Sequence, residues 1–216
     1  MKLHTFRRRA GLTLVETMIA AAVGSAITGA MVLGSMSFQT LSNGANEYYR
    51  ATSDQMRVLD SIAQDMRRAT TGSVSNGGQT LTLSLPDYID YSQNPPTPRS
   101  PSISSTGAIT YGSAGNQPTV TYSVTGNVPN QVITRTQVSS SGTTTSTLTW
   151  NTSDYQFLCF DPANPSGTAP FSFGGANQPS SITVQITFQP KFSRINLSAS
   201  RAGTRAAVTM YLRNHQ

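Results

Sequence analysis

The sequence contains very little cysteine and histidine. Cys159 is the only cysteine among 216 residues, so an intramolecular disulfide cannot form and the fold must rest on packing and hydrogen bonds. The two histidines, His4 and His215, lie near opposite ends of the chain, and with a single cysteine they cannot supply a conventional zinc site. We therefore expect no disulfide framework, no metal site of the His and Cys kind, and no cofactor.

Charged residues are also scarce, at 11% of the chain. The net charge of +6 would ordinarily suggest nucleic acid or acidic membranes as partners. However, four of the fifteen basic residues, Lys2, Arg7, Arg8 and Arg9, lie within the first nine positions. The remaining eleven basic residues face nine acidic ones, so we interpret the basic character as a mark of membrane topology.

An apolar segment follows this basic cluster. Glu16 is the only charged residue between positions 12 and 46, and residues 17–38 are apolar or small throughout. As a helix, residues 17–38 would be about 33 Å long, which matches the ~30 Å hydrocarbon core of a membrane. Basic residues precede the segment and the next one is Arg50, so the positive-inside rule predicts a cytoplasmic N terminus and a chain that lies outside after about residue 40.

Small residues recur four positions apart within this segment, and such pairs allow membrane helices to pack closely. The candidate packing residues are Ala20, Gly24, Gly29 and Gly34. The alternative is that alanine and glycine are simply common in membrane helices. Each glycine also lowers helix propensity by about 1 kcal/mol relative to alanine, so we expect the helix to bend or break near them.

An amphipathic stretch predicts that the helix continues to about residue 70. Its stripe advances in alternating steps of three and four residues and consists of Tyr49, Thr52, Met56, Leu59, Ala63 and Met66, with Ile62 beside it. Asp65 falls off this stripe. Arg67 and Arg68 followed by Gly72 predict a helix end, since positive charge suits the C-terminal dipole and glycine suits a left-handed cap.

Short β-branched runs separated by turn residues follow Gly72 and predict strands at residues 80–85, 119–124, 131–138, 146–150, 155–160, 182–188 and 207–212. Gly126-Asn127 and Ser141-Gly142 suit hairpin turns, and residues 86–101 and 164–178 are expected to be long loops. The predicted fold class is α+β, with a long N-terminal α-helix, membrane-spanning in its first half and amphipathic in its second, packed on a C-terminal antiparallel β-sheet domain. The predicted core comprises Met56, Leu59, Ile62, Met66, Leu81, Leu83, Val120, Val132, Trp150, Leu158, Val184, Ile186, Val208 and Tyr211.

Residues 7–17 combine three features: a basic leader, a glycine before an apolar helix and a carboxylate just inside that helix. Their sequence is Arg-Arg-Arg-Ala-Gly-Leu-Thr-Leu-Val-Glu-Thr. This string resembles the type IV prepilin leader and processing site, closely to about residue 40 and loosely to about residue 70. The resemblance implies that a membrane-embedded prepilin peptidase cuts between Gly11 and Leu12 and methylates the new amino terminus at Leu12. The chain then comprises a leader (1–11), a transmembrane and filament-core helix (12–40), an amphipathic half-helix (41–71) and a β-rich globular domain (72–216).

Glu16 is the candidate assembly residue. A carboxylate in a membrane helix costs at least ~2.5 kcal/mol and should therefore have a partner. The new amine at Leu12 of a neighbouring subunit would be such a partner, and the resemblance implies that the glutamate pairs with it or recruits new subunits. The alternative is a carboxylate near the membrane surface that reaches water.

Other features refine the resemblance. Leu12 stands where many pilins have phenylalanine, and the chain has no cysteine pair to close a C-terminal loop, which favours a minor pilin or pseudopilin. Residues 59–69 and 208–214 look like the helix end and the last strand of such proteins, and the presence of Glu16 argues against the tip-most pseudopilin of type II secretion.

The implied function is that of a structural subunit, not an enzyme, of a type IV pilus or type II secretion-like filament. The implied partners are the prepilin peptidase, other pilin subunits, an inner-membrane assembly platform and membrane lipid. The protein would first lie in the bacterial inner membrane with its N terminus in the cytoplasm and its β-domain outside. It would then lie in a periplasmic or cell-surface filament.

Two alternatives concern the membrane segment and catalysis. A secretory signal peptide also combines a basic start with an apolar core, but that core is usually about 7–15 residues long, and the one here is longer and contains Glu16. A membrane-anchored enzyme would have to rely on His215, the only histidine outside the leader, which is a poor basis for a fixed catalytic geometry. Asp87 and Asp90 could form a carboxylate pair or bind calcium, although solvated aspartates are the simpler interpretation.

A membrane-anchored or secreted β-domain with an adhesive or DNA-binding role is the remaining alternative. Stacking and phosphate contacts would use Tyr88, Tyr91, Arg99, Arg135, Lys191, Arg194, Arg201 and Arg205. Scattered basic residues more often form a solvated face, so nucleic acid is not the expected partner.

Overall fold

The computed structural model describes residues 13–90, 92–103, 105, 109–112, 117–126, 131–149, 155–165, 170–175, 177–188 and 204–212. The chain divides into two compact units, Met1–Asn46 and Glu47–Gln216. One long helix, α1, contributes residues to both units, and the strands lie in the second. The predicted α+β architecture, a long N-terminal helix packed with an antiparallel β-sheet domain, is confirmed.

The helix α1 (Leu14–Arg68) is 55 residues long. It continues through Gly24, Gly29 and Gly34 as one α-helix, so of the predicted bend or break at these glycines, the break is wrong. The propensity cost of about 1 kcal/mol for each glycine does not interrupt a helix whose hydrogen bonds form cooperatively on both sides. Arg67 and Arg68 occupy the last turn, as predicted.

The first unit contains the apolar part of α1. Residues 13–43 are all exposed in this chain, although many of them have large apolar side chains. A helix so long and so apolar can cross a membrane by its length and composition, which confirms the predicted span in these general terms.

The second unit contains a six-stranded sheet, a three-stranded sheet and two small hairpins. Together with one 3-10 turn at Asn76–Gly78, the strands are β1 (Thr71–Ser75), β2 (Thr80–Ser84), β3 (Ile89–Asp90), β4 (Thr97–Pro98), β5 (Ser102–Ile103), β6 (Ile109–Thr110), β7 (Thr119–Thr125), β8 (Val132–Ser139), β9 (Gly142–Thr147), β10 (Tyr155–Phe160), β11 (Phe171–Phe173), β12 (Ser181–Phe188) and β13 (Thr204–Tyr211).

All strand pairs are antiparallel. The six-stranded sheet has the order β11-β1-β2-β7-β8-β9, and the three-stranded sheet has the order β10-β12-β13. The two small hairpins pair β3 with β4 and β5 with β6. The β7–β8 and β8–β9 pairs are the two hairpins that the turn residues predicted.

Most predicted strands are present with shifts of one to three residues at their ends, and β10 has the predicted bounds. The strand predicted at residues 146–150 is wrong, because β9 runs from Gly142 to Thr147. It ends there because the Ile133 N–H donates to the side-chain oxygen Oγ1 of Thr149, at 2.8 Å, and not to a backbone carbonyl. Six strands were missed: β1, β11 and the two-residue strands β3, β4, β5 and β6. Of these, β3 and β4 lie inside the predicted loop of residues 86–101, and β11 lies inside that of residues 164–178.

The buried face of α1 differs from the predicted stripe. Ala51, Gln55, Val58, Ile62 and Asp65 are buried, again in steps of four and three residues. The predicted stripe is wrong at its exposed members Tyr49, Thr52 and Met56, the last of them 63% exposed. The apolar pattern predicted the wrong helix face because two polar residues, Gln55 and Asp65, lie on the buried face.

Eight of the predicted core residues are buried: Leu59, Ile62, Met66, Leu81, Leu83, Val120, Val184 and Ile186. Val208 and Tyr211 were predicted to lie in the core, and this prediction is wrong. Both are exposed, because β13 is the edge strand of its sheet. Val132 and Leu158 are half-buried, and Trp150 lies outside the described residues.

Gly72 has a different role from the predicted helix cap. It lies in β1, opposite Leu83 on one side and Phe173 on the other. A Cβ at this position would come within 2.3 Å of Phe173 Cζ and 2.8 Å of the Thr82 carbonyl oxygen. Glycine is therefore required for the close approach of the Phe173 ring to the sheet.

Candidate functional site

The N-terminal end of α1 contains Glu16 in its first turn. Thr13 donates to the Glu16 Oε2 atom from its backbone N–H (3.1 Å) and from its hydroxyl (3.2 Å), and the Glu16 N–H lies 3.3 Å from the Thr13 hydroxyl oxygen, which accepts its hydrogen bond. This is a capping box, in which two side chains satisfy each other's backbone groups at a helix start. The sequence analysis overlooked it, although the Thr-x-x-Glu pattern is readable. Gly11 and Leu12, the predicted processing residues, lie outside the described residues.

The predicted packing residues Ala20, Gly24, Gly29 and Gly34 all lie on the exposed part of α1. A Cβ added at any of the three glycines would meet nothing within 4 Å. The helix surface at these positions is therefore open to an approaching helix backbone. Whether a neighbour uses it stays a prediction.

The second unit contains a buried ionic cluster centred on Asp65, which is only 4% exposed. Arg135 on β8 donates from Nε to Oδ2 (2.7 Å) and from Nη2 to Oδ1 (3.1 Å), and the Tyr122 hydroxyl on β7 donates to Oδ2 (2.5 Å). Arg68 lies further off, at 3.9 Å from Oδ1. The forked arginine contact fixes both distance and orientation, so it anchors the end of α1 on the six-stranded sheet.

This cluster shifts the pKa of its neighbours. Burial, followed by the hydrogen bond to Asp65, raises the pKa of Tyr122, so the phenol stays neutral. The hydrogen bond to Asp65 is the main reason that the pKa of Arg135 is raised further above its ordinary value. The cluster therefore has one carboxylate, one guanidinium and one neutral phenol, which suits a structural anchor.

Gln55 makes the corresponding contact with the three-stranded sheet. Its buried side-chain Nε2 donates to the carbonyl oxygens of Ile186 (2.7 Å) on β12 and Thr204 (3.3 Å) on β13. Together with Asp65, this residue ties the second part of α1 to both sheets. The sequence analysis missed both anchors, because a polar residue between apolar ones is usually a sign of the solvent side.

The segment of residues 86–101 is folded around Arg99. Its Nη2 lies 3.3 Å from Asp90 Oδ1 and donates to it, and its Nε lies 3.0 Å from Asp87 Oδ2 without a hydrogen bond, so the latter contact is ionic only. Asp87 is 3% exposed, which corrects its interpretation as a solvated aspartate. Hydrogen bonds from the Ser92 hydroxyl and N–H lower the pKa of Asp90.

A shallow cleft of about 400 Å³ lies beside this ion pair, with Asp90, Arg99 and Ser102 among its lining residues. Within the described residues, no group of three His, Cys, Asp or Glu side chains could hold a metal ion. Asp87 and Asp90 face Arg99 there, and an arginine already neutralises part of their charge.

The basic residues considered for nucleic acid fall into two groups. Arg99, Arg135 and Arg205 all contact side chains of the same chain, Arg205 through Gln185. Tyr88 stacks edge-on against Tyr111, with ring centroids 4.7 Å apart. The other candidates lie outside the described residues: Tyr91, Lys191, Arg194 and Arg201.

Cys159 is fully buried in β10, and burial raises the pKa of its thiol.

The described residues offer two structural anchors on α1, an ion-paired loop and a capped, exposed apolar helix. No protein-family model, no curated protein and no solved structure matches the chain.

Proposed function

We propose that this chain is a pilin-like subunit, a minor pilin or pseudopilin, of a type IV pilus or type II secretion-like filament. It is made with the leader 1–11, cut after Gly11 and methylated at Leu12. It is held in the bacterial inner membrane by the first part of α1, with the N terminus in the cytoplasm and the β-domain outside. It is a substrate and a building block, and it catalyses no reaction.

The observation that carries the proposal is Glu16, a carboxylate in the first turn of an exposed apolar helix. A carboxylate in this position is costly in a membrane unless it has partners. Thr13 supplies two hydrogen bonds, and both end on Oε2. We assign Oε1 to the methylated amine of Leu12 on a neighbouring subunit, which would neutralise the charge and set the axial position of one helix against the next.

The exposed helix surface supports assembly with other helices. Residues 13–43 are exposed in the isolated chain, so lipid or neighbouring helices must cover them. Gly24, Gly29 and Gly34 leave room for a close backbone approach, which small residues provide in membrane helix pairs. Transfer of α1 from lipid into a filament core therefore exchanges one apolar environment for another.

Processing is the first test. The full chain is co-expressed with a prepilin peptidase, and its mass and N-terminal sequence are determined for the wild type and for Gly11→Ala. We expect the wild type to lose residues 1–11 and to carry one additional methyl group on Leu12, and Gly11→Ala to keep the leader. Gly24→Ala is the matched control, since it makes the same change within α1 and should be processed normally.

Assembly is the second test. Glu16→Gln removes the charge but keeps the size of the side chain, so the variant should be cleaved yet fail to enter filaments purified from cells. Glu47→Gln, further along the same helix, should enter them normally. If the leader stays on the wild type, or if the cut falls after the apolar run, the chain is better described as an anchored or secreted β-domain with an adhesive or DNA-binding role.

A further inference from the structure

The six-stranded sheet has one face that packs in the core and one face that consists almost entirely of hydroxyl side chains. Residues directly opposite each other in paired strands lie on the same face. The pairing therefore joins one continuous row across all six strands: Ser172, Ser73, Thr82, Thr121, Thr136 and Thr145. The buried residues Leu81, Val120 and Tyr122 alternate with this row and face the core.

The neighbouring rows have the same composition. One extends from Ser75 on β1 to Thr147 on β9, and the other from Thr71 to Thr143. Val132 and Val138 are the only outward residues of these described strands that lack a hydroxyl, and none of the outward residues is charged or aromatic. We call this surface the threonine face.

The hydroxyls of the threonine face are held in register between strands. The distance between side-chain oxygens is 3.2 Å for Thr136 and Thr145, 3.2 Å for Ser123 and Thr134, and 3.5 Å for Thr82 and Thr121. Neighbouring strands lie about 4.8 Å apart, and outward residues of one strand repeat at about 6.8 Å. The result is a two-dimensional array of hydroxyl groups with fixed spacing, most of them on threonines, which add a methyl group beside the hydroxyl.

The chemistry of this array excludes several kinds of partner. Nucleic acid requires cations for its phosphates and aromatic rings for stacking on its bases, and the threonine face has neither. Sugar rings are usually held by aromatic stacking, which is absent from this face as well. An ordinary solvated surface intersperses charged residues, so the uncharged composition over six strands is itself unusual.

A threonine array of this kind suits ordered water. Its methyl groups restrict the orientations of adjacent water molecules, and its hydroxyls hydrogen-bond to them at a regular spacing. In ice, water oxygens also repeat at distances of a few ångströms in two directions, and charged side chains would disturb that order. We propose that the threonine face is an ice-binding surface.

The twist of the sheet limits how many strands can contact a flat plane. Adjacent strands are rotated by about 20–25° relative to each other, so the contact is confined to neighbouring strands. We assign it to β7, β8 and β9, where Thr143 and Thr145 on the edge strand are exposed. Thr145 continues the row of Thr121 and Thr136, and Thr143 continues the row of Thr119 and Val138. This proposal is independent of how the N terminus is processed.

The test uses the full chain in non-ionic detergent micelles. An ice front is grown slowly through the protein solution, and the protein concentration in the ice is compared with that in the remaining liquid. Inhibition of ice recrystallisation is measured in parallel. We expect the wild type to be enriched in the ice and to inhibit recrystallisation. Exclusion of the wild type from the ice would overturn the proposal.

Two variants of β9 provide a matched comparison. Thr145→Lys places a charge on the threonine face, whereas Thr144→Lys makes the same change at an adjacent exposed residue that points to the opposite side of the strand. Thr145→Lys should lose retention in ice down to the level of a protein without ice affinity, and Thr144→Lys should keep it. Far-UV circular dichroism confirms that both are folded.

Equal loss in both variants, or retention in both, would contradict the assignment to the threonine face. Sedimentation with insoluble cellulose or chitin is measured on the same samples. Binding to these polysaccharides without enrichment in ice would overturn the proposal in favour of a crystalline carbohydrate as the partner.

Discussion

Asp65 on α1 and Arg135 on β8 lie seventy residues apart in sequence and form a forked ion pair, with Nε 2.7 Å from Oδ2 and Nη2 3.1 Å from Oδ1. Asp65 is buried, and Arg135 retains partial access to water. This pair holds the end of the helix against the sheet that carries Tyr122.

Loss of Asp65 should strongly destabilise the second unit. Asp65→Ala leaves Arg135 without its partner in a largely buried site, which should lower the free energy of unfolding by about 3 kcal/mol. Urea unfolding of the full chain in non-ionic detergent, followed by circular dichroism, measures the change. Arg68→Ala removes only an exposed contact at 3.9 Å and should cost less than about 1 kcal/mol; equal effects of the two variants would refute the central role of the pair.

Stability should fall at alkaline pH. Tyr122 and Cys159 have pKa values raised by burial, so the folded state holds their protons more tightly than the unfolded state. Their contribution is complete below the unfolded pKa values of 9.0 for the thiol and 10.0 for the phenol and is lost as the pH rises above them. The urea midpoint should therefore decline from about pH 9 upwards.

Single variants separate the two groups. Cys159→Ala should flatten the decline that begins near pH 9, and Tyr122→Phe should flatten the part above about pH 10, although Tyr122→Phe also loses its hydrogen bond to Asp65 and starts from a lower stability. Tyr49→Phe changes an exposed tyrosine and should leave the curve as it is in the wild type. A midpoint that does not change between pH 7 and 11 in the wild type would contradict this explanation.

A side chain at Gly72 should disrupt the β1–β11 contact. In Gly72→Ala, the new Cβ collides with the Phe173 ring and the Thr82 carbonyl, so the strands must separate. Overpacking of this kind typically costs about 1–3 kcal/mol, measured as a lower urea midpoint. Gly29→Ala adds a Cβ in open space and should not lower the stability of the β-sheet domain.

Gln55 should be needed for the attachment of α1 to the three-stranded sheet. Gln55→Leu is similar in size but cannot donate to the Ile186 and Thr204 carbonyls, and unpaired buried acceptors cost about 1–3 kcal/mol. Gln64→Leu changes an exposed glutamine that bonds only to Asp60 and should stay within about 0.5 kcal/mol of the wild type. The measurement is urea unfolding, and a stability of Gln55→Leu equal to that of the wild type would exclude the anchor.

Patterns of neighbouring residues in the sequence predicted the helix and those strands that such patterns define. β10 was predicted with its observed bounds, and α1 was predicted to within two residues at each end, because alternation and helical periodicity are properties of neighbouring residues. β1 and β11 were missed, because a glycine and a three-residue strand weaken that pattern. Asp87 was assigned to solvent because nothing near it in sequence indicates that Arg99 folds back over it.

In the candidate sites, too, contacts between residues close in sequence could be predicted, and contacts between distant residues could not. Glu16 and its position before an apolar run were visible in the sequence, and so was the Thr13 cap, because a capping box involves residues three positions apart. The anchors Gln55 and Asp65 could not be found in this way. Their partners on β8, β12 and β13 lie far along the chain.

A long apolar helix with one carboxylate at its start, followed by short alternating strands, follows from the order of the amino acids alone, because length, hydropathy and period are read from adjacent residues. The strand order, the rotation of the buried helix face and the burial of Asp65 become known only from the folded chain. The same holds for the surface that hydroxyls from six separate strands form together. These features depend on which distant segments pair, and pairing is selected by the packing energy of the whole domain.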